Sequence, residues 1–130
     1  MADRGNRRIQ VFSADGVYQQ SISVVGVPVP AGAAAPIGDP IPAEATGTQA
    51  PGAPWTVCIT PGPNQVLLTS DSFPGRIYKL SLDGTLLGVL GKSGRQPKQF
   101  GWIHAMACPS EHELYVAELL NCRVQKLALK

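Results

Sequence analysis

Three times in this chain an acidic residue stands five places before an arginine, and each arginine opens a run of alternating apolar and polar residues. The pairs are Asp3 and Arg8 before RIQVF, Asp71 and Arg76 before RIYKL, and Glu118 and Arg123 before RVQKL. A repeat at fixed register constrains the fold more than any single motif, because each copy is too small to bury its own apolar face and has to stack on a neighbour. The alternation sends one set of side chains to each face of a strand. Two copies run on into Asp15-Gly16 and Asp83-Gly84, and Asp-Gly turns a hairpin because glycine accepts the positive φ of the corner. Upstream, WTVCIT at 55–60 and IHAMAC at 103–108 are short apolar runs, each followed by a proline-containing turn and a second run, QVLLTS or ELYVAE. A full unit is therefore four short strands.

Asp71 and Glu118 are 47 residues apart, close to the roughly 40 to 50 of a β-propeller blade. Asp3 and Asp71 are 68 apart. The surplus falls in residues 26–54, where dense Pro, Ala and Gly cannot sustain a backbone ladder. The reading is an all-β chain. Residues 1–25 form the C-terminal half of a first blade, 26–54 a long loop or linker, expected to be mobile with an arm packed on a neighbour as the alternative, 55–91 a full second blade, 92–101 an interblade loop, and 102–130 the first three strands of a third, nine strands in all.

Composition narrows the function classes. With 130 residues, 44% hydrophobic and 15% charged, the chain is one globular domain. A net charge of +2 makes neither nucleic acid nor an anionic membrane an obligatory partner. Three cysteines, Cys58, Cys108 and Cys122, lack CxxC spacing; this reads as buried thiols rather than a zinc knuckle or a disulfide framework. No apolar stretch approaches the roughly 18 residues of a membrane span, and the polar start MADRGNRR is not a secretory signal. A soluble chain without a targeting address is expected.

ADRGNRRIQVFSADG, IHAMACPSEHELYVAELLNCRVQKL and the linker LGKSGRQPKQFGW resemble NHL repeats, the blades of six-bladed β-propellers, over residues 1–25 and 54–130. Within that family the chain is similar to bacterial propellers of the peptidyl-α-hydroxyglycine α-amidating lyase kind. The resemblance implies about two dozen strands in a closed ring, so the chain is either a piece of a longer protein or self-associates to complete the ring. Three copies supply about six blades, which favours a homotrimer.

His104, in GWIHAMA, falls on the first strand of a blade, the one that lines a propeller channel, with Met106 on the same face. In the lyase-like enzymes such histidines bind a catalytic zinc. One chain provides one of the three protein ligands that zinc takes, and the equivalent position in the preceding blade is Trp55. Trp55, Trp102 and Met106 are candidates to line a site for a peptide or small ligand, with core packing the plainer role for the tryptophans. Lys92, Arg95 and Lys98 make the interblade loop basic, a surface able to hold RNA phosphates, while Arg4, Arg7 and Arg8 lie near the start. The acid and arginine pairs read as structural, each acid fastening corner amides or its own arginine. Asn6 and Asn121 stand at equivalent corners, where asparagine tolerates a left-handed backbone. His112 is a solvated turn residue. The leading reading is a binding or scaffold module acting through a channel or loop face. Its alternatives are a zinc-dependent lyase or hydrolase using His104, and an RNA-binding propeller face.

Overall fold

A computed structural model describes residues 1–29 and 47–129. Among them the fold is all-β, with ten strands in three antiparallel sheets. The first sheet holds β1 (Ala2–Asp3), β2 (Arg8–Phe12) and β3 (Tyr18–Ile22); the second β4 (Thr56–Ile59), β5 (Leu67–Ser70), β6 (Ile77–Leu80) and β7 (Leu86–Leu90); the third β8 (Ile103–Ser110), β9 (Glu113–Glu118) and β10 (Arg123–Ala128). Within each sheet, each strand pairs with the next in sequence. The Asp-Gly corners close β2 on β3 and β6 on β7, with Gly16 at φ 81° and Gly84 at φ 97°. β1 is only two residues, paired Ala2 to Ile9 and Asp3 to Arg8, and makes the first sheet three-stranded.

Alternation along the strands decides how the sheets stack. Ile9, Ile22 and Val24 of the first sheet and its exit pack on Leu67, Tyr78 and Leu80 of the second. Leu68 and Ile77, pointing the other way, join Ile103, Leu114, Val116 and Leu127 of the third sheet in a separate cluster around Phe100. The second sheet is thus buried on both faces. The outer faces of the stack are half-polar: Gln10, Phe12 and Tyr18 on the first sheet, Tyr115, Val124 and Lys126 on the third.

Three expectations need correction. Cys58 and Cys108 are not thiols but form a disulfide, Cα to Cα 6.2 Å, joining the first strands of the second and third sheets. Stacking aims Cys58 forward and Cys108 back, and nothing within either strand reveals this. Cys122 is free and exposed. The left-handed residue at each acid-to-arginine corner is the one just before the arginine, Arg7 (φ 54°), Gly75 (φ 74°) and Cys122 (φ 48°), rather than Asn6 or Asn121. Both asparagines instead donate their side-chain amide to the acid of their own corner. Finally, the end of the 26–54 loop is docked rather than loose. Gly47–Gln49 form a 3-10 turn, and Ala50 and Ala53 are fully buried. Residues 30–46 of that loop lie outside the described residues. No helix among the described residues is long and apolar enough to cross a membrane.

Candidate functional site

The repeated acid is the hub of each sheet. Asp71 accepts the backbone N–H of Arg76 at 2.8 Å on one oxygen; on the other it accepts Arg76 Nη2 at 3.3 Å, the Gly52 N–H at 3.1 Å and the Tyr78 hydroxyl. Glu118 accepts Arg123 Nε at 2.6 Å, Gln125 Nε2 at 2.7 Å and the Gly101 N–H at 2.8 Å. Tyr78 and Gln125 each stand seven residues after their acid. Gly52 and Gly101 each belong to the crossover entering their own sheet. The arginine grips that same crossover: Arg76 donates to Pro28 O at 2.8 Å, and Arg123 to Arg95 O at 2.5 Å and Gln99 O at 2.9 Å. In the first sheet Arg8 Nε meets Asp3 at 2.8 Å, and no crossover carbonyl among the described residues joins them.

These hubs differ electrostatically. Burial pushes the Asp71 carboxyl above its ordinary value, although Tyr78, Arg76 and Gly52 all donate to it. The Tyr78 hydroxyl is pushed up as well, by burial and by the adjacent Asp71 charge. At Glu118 burial again pulls upward, but Arg123, the Gly101 N–H, Gln125 and Asn121 outweigh it and hold the carboxyl below its usual range.

The two tryptophans, 47 residues apart, each immediately precede a first strand, Trp55 before β4 and Trp102 before β8, so the equivalent of Trp55 is Trp102 and not, as expected from the sequence, His104. Their rings meet edge to face at 4.9 Å. The Arg4 guanidinium lies 3.8 Å above the Trp55 ring, and its Nε donates to Trp55 O at 3.2 Å. His104 is exposed, its ring 6.2 Å from that of Trp55. Trp102 adopts φ 60°, a left-handed conformation costing a bulky residue about 1–3 kcal/mol. It is held there by its contact with Trp55 and by the Leu119 N–H donated to its carbonyl at 2.9 Å. Both indole N–H groups are buried without an acceptor among the described residues. Arg4, Trp55, Trp102 and His104 thus form one cationic and aromatic patch, with both indole N–H groups out of a ligand's reach. The Arg4 guanidinium suits a ligand carrying a carboxylate.

Other candidate residues do not join this patch. Met106 packs on the cluster between the second and third sheets, because the ladder shifts register between Ile103 and Ala105 and breaks the shared face expected with His104. Lys92 is exposed, while Arg95 and Lys98 line different hollows. Arg7 donates to Pro51 O at 2.9 Å. Among the described residues no group of three or more His, Cys, Asp or Glu side chains converges to hold zinc at His104. The sequence placed Arg4 only among the basic residues near the start, because its stacking partner is 51 residues away. Tyr78 and Gln125 were discoverable from their constant offset to the acid. No protein-family model matches the chain, and no curated protein matches it.

Proposed function

We propose that this chain is a run of consecutive NHL-type propeller blades serving as a binding or scaffold module, with the Arg4, Trp55, Trp102 and His104 patch as its ligand surface. The observation that carries this reading is the recurrence of one clamp, an acid joined to its arginine, in three sheets stacked side by side. A unit that repeats its internal bonding in all three sheets, and its grip on the incoming crossover in the second and third, is what radial repetition requires. The tryptophans recur at the same point of two units, where successive first strands come together, and a ligand placed there touches both.

Assembly follows from the sheet count. Three sheets per chain give six in two copies. The three-copy ring expected from the sequence needs neighbouring first and third sheets to merge, and with three strands in each the joint blade would hold six. A head-to-tail dimer is therefore the assembly that we favour, with Phe12 and Tyr18 of one copy against Tyr115 and Val124 of the other. Phe12, Tyr18 and Val124 are exposed.

Intrinsic fluorescence of Trp55 and Trp102, titrated with paired peptides ending in a free carboxylate or an amide, tests the patch. A saturable change for carboxylate peptides, abolished by Arg4→Ala, supports it. A flat response across the panel overturns the patch as a ligand surface.

A further inference from the structure

The aromatic patch is assembled from two halves that belong to different sheets. Arg4 is fastened to the entry of the second sheet, its Nε donating to Trp55 O at 3.2 Å and its guanidinium stacked on the Trp55 ring. Trp102 and His104 belong to the third sheet, one just before β8 and one on it. β4 and β8 share no ladder, and no ion pair among the described residues joins them. Beyond the apolar core, two links set the spacing of the halves. One is the edge-to-face contact of the indoles at 4.9 Å. The other is the Cys58–Cys108 disulfide, three residues past Trp55 on one strand and six past Trp102 on the other.

Trp102 supplies the element with two states. Its backbone is held at φ 60°, a region that a bulky residue leaves unless its surroundings confine it. The Trp55 ring does so from β4, and the disulfide keeps β4 beside β8. Of the two links only the disulfide is covalent, and it opens to chemistry without a change of sequence. It also lies within reach of solvent: Cys58 is half-buried beside the exposed Ile59, and Ala107, next to the buried Cys108, is exposed.

We propose that the Cys58–Cys108 disulfide is a redox switch for the ligand patch. Closed, it holds the Arg4 and Trp55 half against the Trp102 and His104 half; opened by a dithiol reductant, it lets them part, and a ligand that touches both is released. The switch rests on the reading of that patch as a ligand surface. One thiolate of the dithiol attacks the sulfur of Cys58, the more exposed residue of the two, forming a mixed disulfide and expelling Cys108 as thiolate. The second thiolate of the reductant then displaces Cys58. Both cysteines end as protonated thiols, and the dithiol leaves as a disulfide, having given up two electrons.

The test uses the full chain carrying Cys122→Ser, so that dithiothreitol acts on the disulfide alone, and the carboxylate peptides of the fluorescence panel. Reduction should raise their Kd about fivefold or more and shift the unliganded tryptophan emission to the red as the indole contact opens. Reoxidation should restore both. Cys58→Ser with Cys108→Ser should bind as weakly as the reduced protein, with or without reductant. By linkage, saturating peptide should disfavour reduction in a dithiothreitol redox buffer by the same factor that reduction weakens binding. Should the reduced protein lose its β-strand circular dichroism in buffer, the titrations are run in trimethylamine N-oxide, which favours the compact state. Loss of that signal in both solvents overturns the switch, the disulfide then being a staple of the fold. Equal affinity in the two redox states, or an unshifted emission, overturns the switch and leaves the patch reading standing. No binding to the oxidised protein overturns the patch reading and the switch with it.

Discussion

Replacing each clamp arginine by methionine should destabilise the protein in the order of its burial, with Arg76→Met far the most costly. The Arg76 and Asp71 side chains are 2% and 0% exposed, against 42% and 21% for Arg8 and Asp3. Removing Arg76 strands a buried carboxylate, which costs about 3–5 kcal/mol. Tyr78 and Gly52 continue to donate to Asp71, so a figure near the lower end, about 3 kcal/mol, is expected. Arg8→Met breaks an exposed pair worth about 0–1 kcal/mol. Arg123 is intermediate: its side chain is 30% exposed but faces a fully buried Glu118 and grips the crossover, for about 2 kcal/mol. A domain of this size has only about 5–15 kcal/mol in hand, so the differences are readable in urea midpoints at constant m. Adding Asp71→Asn to Arg76→Met should recover part of the loss, because the stranded charge is gone. Equal destabilisation by all three substitutions, or an Arg76→Met effect within about 1 kcal/mol of Arg8→Met, would refute the reasoning.

The disulfide closes a loop of 50 residues, so Cys58→Ser with Cys108→Ser should cost about 4 kcal/mol; alkylation in denaturant followed by intact mass should label one cysteine before reduction and all three after it. Because Glu118 titrates below its ordinary value of 4.5 when folded, its contribution is complete above that pH and is lost as the pH falls through the lower folded value. Glu118→Gln should therefore flatten the acid limb of stability below pH 4.5, and an unchanged acid limb would count against the clamp. Gly52→Ala should cost about 1–3 kcal/mol, since Gly52 has φ 79° and an added Cβ would lie 2.9 Å from Val24 O. Gly16→Ala, at φ 81° with open space around it, should cost less, and thermal melts of the two variants compare them directly.

What the sequence disclosed was whatever lies close along it. Asp71 and Arg76 are five residues apart, so one short turn brings them together and their spacing survives in every copy. The Asp-Gly corners were legible for the same reason. The disulfide was not, because its cysteines lie on different strands and face each other only after the second and third sheets have stacked. The Arg4 contact with Trp55 likewise spans two sheets. Register irregularity hid the fate of Met106: strict alternation pairs it with His104, and the shift between Ile103 and Ala105 separates them. Around Gly52, small residues read as loop because nothing local shows that Asp71 waits for its N–H.

Light scattering of the purified chain across a concentration series tests the proposed two-copy ring most directly. A closed ring built from two three-sheet stacks predicts a particle of twice the 13.7 kDa chain mass, reverting to single chains when Phe12→Glu and Val124→Glu charge the two outer faces. A wild-type protein that stays at 13.7 kDa at every concentration would contradict it.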